Sequence, residues 1–259
     1  MKGDIKNGAN YPSLKDRPVF VTGGGSGIGE SIVEHFCAQG SRVTFVDIAE
    51  KPSQALVKRI AAKGDRAPDF IHVDLRNIAD LRAAVASAGK KHGPIRVLVN
   101  NAAHDERHKI EDVSVDYWDE RLAVNQRHQF FAAQAVRPMM KKAGGGSIIN
   151  FGSISWMAGT AGYVAYATAK SSIGGLTRVM ARELGPENIR VNCVVPGWVM
   201  TKRQMELWLD EEGEKEIDRR QCLRDRLQPP DLARMVLFLA ADDSRMCTSQ
   251  NFVVDAGWV

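Results

Sequence analysis

Tyr166 and Lys170 stand four residues apart in Tyr166-Ala167-Thr168-Ala169-Lys170, a spacing that puts a phenol and an amine on one face of a helix. A free tyrosine titrates near ~10 and is a poor base at neutral pH. A fixed cation beside it favours the phenolate and lowers that pKa by roughly 1–3 units. Such a pair can give or take a proton near pH 7, which hydride chemistry on an alcohol or carbonyl requires. Taken alone it is weak evidence, because solvated helices carry the same spacing by chance.

A second constellation gives the pair its meaning. Pro18-Val19-Phe20-Val21 is a short apolar run, followed by Thr22-Gly23-Gly24-Gly25-Ser26-Gly27-Ile28-Gly29 and then by helical spacing through Ile32, Val33, Phe36 and Cys37. Strand, glycine turn and helix are the context of a phosphate-binding loop. The glycines allow a tight turn and close approach of a pyrophosphate, and the helix N-terminus offers free N–H groups to the anion. The next apolar run, Arg42 to Val46, ends at Asp47. An acid about 20 residues beyond such a loop accepts hydrogen bonds from an adenosine ribose. It also repels a 2′-phosphate, so Asp47 points to NAD rather than NADP; Arg42 lies at the far end of its strand.

These groups need a scaffold. Further strands are predicted at Phe70–Val73, Ile95–Val99, Ile148–Phe151, Ile189–Val195 and Phe252–Val254, with helical patterns between them, notably Val115–Lys142 and Tyr163–Leu184. Short continuous apolar strands alternating with helices indicate an α/β fold, a Rossmann-type doubly wound parallel sheet of seven strands covered on both faces. Pro138 should kink or end the first long helix. One domain is expected over residues 14–259, after a flexible arm of residues 1–13. Lys202–Gln228 breaks the alternation, being charged yet carrying Met205, Leu207, Trp208 and Leu209. It reads as a helical flap (202–228) beside the carboxyl edge where ligands bind.

Composition excludes other classes. The chain has 259 residues, 44% of them hydrophobic, and a net charge of +4, with no lysine/arginine block to suggest nucleic acid. No apolar run approaches the ~18 residues that span a membrane. The first residues are polar and lack a secretory signal. Cys37, Cys193, Cys222 and Cys247 show no Cys-x-x-Cys spacing, as expected of thiols in a reducing cytoplasm. His104 and His108 are four apart but in a loop, and there is no His-Glu-x-x-His, so no metal is expected. Ser153 lies in Phe151-Gly152-Ser153-Ile154-Ser155, which is not the Gly-x-Ser-x-Gly elbow of a hydrolase.

Thr22-Gly-x-x-x-Gly-x-Gly, Asn100-Asn101-Ala102-Ala103, Asn125, Ser153, Tyr166-x-x-x-Lys170 and Pro196-Gly197 together resemble the short-chain dehydrogenases/reductases, over nearly the whole chain. Ala103 stands where the family pattern has glycine. The resemblance implies Tyr166 as catalytic acid/base, Lys170 lowering its pKa and holding the nicotinamide ribose, Ser153 holding the reacting oxygen, and Asn125 anchoring a water that relays protons. It implies cofactor contacts from Gly23, Gly25, Ser26, Gly27, Ile28 and Gly29, from Asp47 and Ile48, and from Asp74 and Leu75 beside the adenine. Asn101 and Ala102 would line the adenosine ribose, and Pro196, Gly197, Val199 and Thr201 the nicotinamide end. Tyr163 lacks a lysine four positions on and would face the pocket wall or a neighbouring subunit.

A narrower set of stretches, including His104–Lys109, Tyr117–Arg121, Arg127-His128, Gly152–Trp156, Pro196–Gln204 and Asp255–Trp258, is similar to bacterial NAD-dependent aldose 1-dehydrogenases of the D-xylose/L-arabinose type. That implies oxidation of a pentose or 6-deoxyhexose, D-xylose first, at C1 to the aldonolactone. His104, Asp105, Arg107 and Trp156 would then meet the sugar with Ser153 and Tyr166. The same catalytic set would serve a 3-oxoacyl-thioester or other carbonyl reductase, and a non-catalytic NAD sensor is a third reading. The two long helices carry apolar residues on more than one face, as helices buried against sheet and partner do. The resemblance implies that these helices make dimer contacts and that the assembly is a homotetramer, at least a dimer.

Overall fold

Runs of valine, isoleucine and phenylalanine form seven parallel strands, and the computed structural model, which describes residues 8–259, orders them β3-β2-β1-β4-β5-β6-β7. Residues 1–7 of the expected arm lie outside the described residues. The strands are β1 (Pro18–Thr22), β2 (Arg42–Asp47), β3 (Asp69–His72), β4 (Val97–Asn100), β5 (Gly146–Phe151), β6 (Ile189–Pro196) and β7 (Asn251–Val254). Successive side chains leave a strand on opposite faces, and both faces here are covered. Val19, Val21, Val97, Val99 and Ile149 pack with α1 (Gly27–Ala38), α2 (Glu50–Ala62) and α9 (Pro229–Ala240). Phe20, Leu98 and Ile148 pack with α3 (Ile78–His92), α5 (His128–Lys142) and α6 (Val164–Leu184). Each fully buried side chain of this size contributes about 1.5–3 kcal/mol, and that two-sided core sets the level at which the strands end.

The reversal of strand order between β1 and β4 opens a crevice at their carboxyl ends, where open α/β sheets bind ligands. Parallel register puts Val46, Thr22, Asn100, Asn150 and Cys193 in one row across five strands. Asn100 Nδ2 donates to Asn150 Oδ1 at 2.9 Å, and Asn150 Nδ2 donates to Thr177 Oγ1 on α6 at 3.0 Å. All three side chains are buried, so this chain of amides fixes α6 against the strand ends.

The expected helix from Val115 to Lys142 is α4 (Val115–Leu122), a π-helical turn (Ala123–Arg127) and α5. Pro138 neither ends nor delimits it, because Pro138 and Gln134, the residue whose carbonyl loses its donor, both face solvent. The flap region contains α7 (Lys202–Leu207) and α8 (Glu211–Arg220), followed by irregular chain to Gln228. The described part of the arm is docked on α1: Tyr11 N–H donates to Gln39 Oε1 at 2.8 Å, and Leu14 is fully buried. No helix among the described residues is long and apolar enough to cross a membrane.

Asn150→Leu should leave the Thr177 hydroxyl and one of the two Asn100 Nδ2 hydrogens, the other held by the Gln129 carbonyl, without their partner. Each buried orphan costs about 1–3 kcal/mol, so thermal denaturation should show a fall of roughly 4–24 °C.

Candidate active site

The phosphate-binding loop follows from packing that only glycine permits. Gly23 has φ +67 and Gly27 φ +57. A Cβ on Gly29 would lie 1.8 Å from the Gly23 carbonyl oxygen, so the loop closes on itself at that point. Thr22 Oγ1 accepts from the N–H groups of Asn101 and Ala102 at 3.1 and 3.2 Å, and Asn101 Nδ2 donates to the Gly23 carbonyl at 2.9 Å. The loop is thereby tied to the end of β4. Ser26 is the N-cap of α1 but makes no side-chain cap bond, which leaves first-turn N–H groups for an anion. A cradle shaped by absent side chains and open at a helix N-terminus fits a dinucleotide pyrophosphate.

Asp47 ends β2 with both carboxylate oxygens engaged by backbone: Oδ2 accepts from Gly25 N–H and Oδ1 from Ala49 N–H, each at 2.8 Å. This holds its negative charge beside the loop. Arg76 lies at the same end of the cavity but is bound by Asp74 at 2.6 Å and Glu120 at 2.9 Å. These residues, with Ile48 and Leu75, line one end of a cavity of about 1030 Å³ that runs over the strand ends. Pro196, Gly197, Val199 and Thr201, beyond β6, line its other end. The structure thus gathers in one cavity every residue that the family pattern assigned to the cofactor.

Ser153, Tyr166 and Lys170 sit in the middle. Ser153 follows β5 and caps a short 3₁₀ turn, its Oγ accepting from Ser155 N–H at 3.1 Å. Tyr166 occupies the first turn of α6, with Lys170 one turn on. Lys170 Nζ donates to the Phe151 carbonyl at 2.9 Å and lies 5.8 Å from the centre of the Tyr166 ring. Burial raises the Tyr166 phenol above its usual range, the Asp105 charge pushes it further up, and a hydrogen bond with Ser153 pulls it down. Burial likewise lowers Lys170 to about 8. Desolvation is the largest influence on both groups and outweighs the pairing that spacing suggested. Burial and then the Lys170 charge push His128, under the same helix, down to about 3, so it is neutral.

Asn125 lies outside the cavity, fully buried in the π turn. Its Oδ1 accepts from His104 N–H at 2.8 Å, and its Nδ2 donates to the carbonyls of His104 at 3.1 Å and Arg121 at 3.0 Å. Its side chain positions the loop after β4.

That loop brings His104, Asp105 and Arg107 to the cavity wall. Asp105 accepts from Arg203 Nε at 3.2 Å and Gln204 Nε2 at 2.5 Å, both on α7. Arg107 donates to the Tyr163 hydroxyl at 2.9 Å and stacks 4.2 Å over Trp208. Tyr163 therefore belongs to the pocket wall. Arg121 bonds His104 Nδ1 and Glu120, and burial together with the Arg121 and Arg203 charges lowers the His104 pKa. Trp156, 46% exposed, does not line the cavity. Trp198 and Trp258, 6.3 Å apart and edge to face, line the cavity instead. These two, with Gln204 and Arg203, were missed as site residues, although they lie in the Pro196–Gln204 and Asp255–Trp258 stretches that carry the narrower resemblance.

Comparison with known proteins agrees with this geometry. A family described as "Enoyl-(Acyl carrier protein) reductase" matches residues 23–259. The probable galactose dehydrogenase of Rhizobium meliloti is 51% identical over 249 residues, 96% of this chain and 97% of its own length. The D-xylose 1-dehydrogenase of Caulobacter vibrioides is 51% identical over 250 residues, 96% of this chain and 98% of its own. Among solved structures, a blue fluorescent protein from a metagenomic library, in complex with NADPH, is 35% identical with a TM-score of 0.87, covering 95% of this chain and 99% of that one.

Tyr166→Phe should retain dinucleotide binding, followed by fluorescence titration, while turnover falls by about 10²–10⁴-fold. Alcohol oxidation should climb with pH, because Tyr166 must lose its proton and burial holds that pKa high. Asp105→Asn removes the charge that opposes the phenolate and should move the rising limb of kcat/KM to lower pH. An unmoved limb would mean that Asp105 does not govern this proton.

Proposed function

This chain belongs to the short-chain dehydrogenase/reductase family, and from that premise we propose that it oxidises an aldose at C1 to the aldonolactone, using NAD. It is a dehydrogenase acting on CH–OH groups. The observation that carries the substrate class is the pairing of most charge around the reaction end, where Arg107 meets the Tyr163 hydroxyl and the Trp208 ring rather than a carboxylate and the other arginines are paired. Arg203 pairs with Asp105, Arg121 with Glu120 and Arg220 with Glu216, at 3.2, 2.8 and 2.7 Å. A wall of paired charges, amides and indoles suits a neutral polyol better than an acid, a phosphate ester or a long acyl chain. The two aldose dehydrogenases at 51% identity support the same class.

The chain's own groups divide the chemistry. Ser153 and Tyr166 hold the anomeric hydroxyl, and Tyr166 as phenolate takes its proton. Lys170 and the glycine loop hold the dinucleotide, which when bound supplies a hydride acceptor and a positive charge near Tyr166. That charge favours the phenolate, which the protein by itself disfavours. The flap and the loop after β4 exclude water. Preference for NAD rests on Asp47, since a 2′-phosphate would meet a fixed carboxylate while Arg76 is already neutralised by Asp74 and Glu120.

We read the assembly as a homotetramer, at least a dimer, in the cytoplasm. Val115, Phe130 and Val179 on α4, α5 and α6 are 77%, 41% and 58% exposed, while Met246, in the turn before β7, and Val253, on that edge strand, are 79% and 40% exposed. Two such patches call for two kinds of contact. Light scattering after size exclusion should return four chains; a monomer would refute the assembly.

The first test is NADH appearance with D-xylose, L-arabinose, L-fucose, D-galactose and D-glucose. A clear rate with NAD and at least one sugar is expected. Silence on all five sugars, alongside reduction of an acetoacetyl thioester, would transfer the chain to the carbonyl reductases. Asp47→Ala should move the NADP/NAD ratio of kcat/KM toward NADP by about 10–100-fold, because a like-charge contact is removed.

A further inference from the structure

Asp105 is more constrained than a loop carboxylate needs to be. The backbone N–H and C=O of His104, just before it, are both taken by Asn125. From α7 across the cavity, Arg203 Nε reaches Oδ1 at 3.2 Å and Gln204 Nε2 reaches Oδ2 at 2.5 Å. Gln204 is itself held at its other end, where Oε1 accepts from Trp198 Nε1 at 3.0 Å. An indole N–H only donates, so the amide can point only one way, with its NH₂ toward Asp105. The carboxylate is thus fixed in position and plane, with 20% of its side chain still exposed to the cavity.

A carboxylate has about four acceptor sites, two on each oxygen, and donates nothing at neutral pH. Arg203 and Gln204 fill one site on each oxygen, which leaves about one on each. Two acceptors held side by side match two adjacent hydroxyl donors, as a vicinal diol presents them. A ketone, thioester or carboxylate substrate offers that wall no donor.

We propose that Asp105, oriented by Gln204 and Arg203, is the specificity-determining residue that receives the C2 and C3 hydroxyls of the sugar, the diol next to the reacting carbon. The inference rests on the aldose reading above. Asp105 is the charge that bears most on Tyr166, which places it beside the reacting end of the substrate. Gln204 is a positioning residue acting through Asp105. Both hydroxyl protons stay on the sugar, and no bond is made or broken at this contact.

The test compares kcat/KM, with NAD saturating, for D-galactose against 2-deoxy-D-galactose and for D-xylose against its 2-deoxy analogue. In the unaltered enzyme the parent sugar should be favoured by about 10²-fold, the scale of a hydrogen bond to a charged group. Asp105→Asn should reduce that ratio to about tenfold or less, the loss falling on the parent sugar and mainly in KM. Gln204→Leu should lower the ratio partly, and the double variant should add little to Asp105→Asn. NADH titration and circular dichroism check that each variant folds; should Asp105→Asn not fold, the ratios of the unaltered enzyme and of Gln204→Leu decide. If Asp105 and Gln204 merely latch the flap, parent and deoxy sugars will lose equally and the ratio will not change, which overturns the assignment and leaves the aldose reading intact. Turnover of a simple secondary alcohol with no aldose turned over would overturn both.

Discussion

The site depends on one constraint: neighbouring parallel strands must end at the same level. Because Val46, Thr22, Asn100, Asn150 and Cys193 share a row, the residues that follow them emerge together. Gly23 begins the phosphate loop, Asp47 ends β2, Asn101 ties the loop to β4, and β5 runs on to Ser153. The alignment is enforced from below by a core buried on both faces and from the side by the Asn100–Asn150–Thr177 chain. A slip of one residue in any of these strands would send its side chains to the wrong face. The catalytic geometry is therefore held by the same packing that holds the fold.

Electrostatics in the cavity run against the reaction until a cofactor is present. Burial raises Tyr166 and lowers Lys170, so the isolated protein keeps the phenol protonated and weakens the ammonium. Both effects come from removing charge from water. A nicotinamide bound there would bring a positive charge that favours the phenolate, and a hydrogen-bond donor on Asp105 would disperse the charge that opposes it. Deprotonation is thereby tied to a filled site, which guards against an exposed reactive base.

The π turn between α4 and α5 joins scaffold and specificity. Helix interiors return to a regular i, i+4 ladder unless something holds them open, and single π turns gather at functional sites. Here Asn125 uses the irregular turn to place its amide against the backbone of His104 and Arg121. That fixes the direction in which the loop after β4 leaves the sheet, and with it Asp105 and Arg107. The flap answers from the opposite wall through Arg203, Gln204 and Trp208. This end of the cavity wall thus comes from the loop after β4, braced on the π turn, and from the flap across from it.

The sequence by itself determined the alternation of strands and helices, the glycine loop with Asp47 at the next strand end, and the Ser153, Tyr166 and Lys170 set. Those features are local: apolar runs, turn residues and a one-turn helical spacing depend on near neighbours in the chain. Tertiary structure decided what required distance. It put Trp198 and Trp258 rather than Trp156 on the cavity wall, set the Asn125 side chain against the backbone of the loop after β4, and put the Lys170 amine on the Phe151 carbonyl. It also joined Asp105 to Gln204, 99 residues further along the chain. Desolvation and loop pairing are sums over many residues remote in sequence, so spacing along the chain carries no record of them.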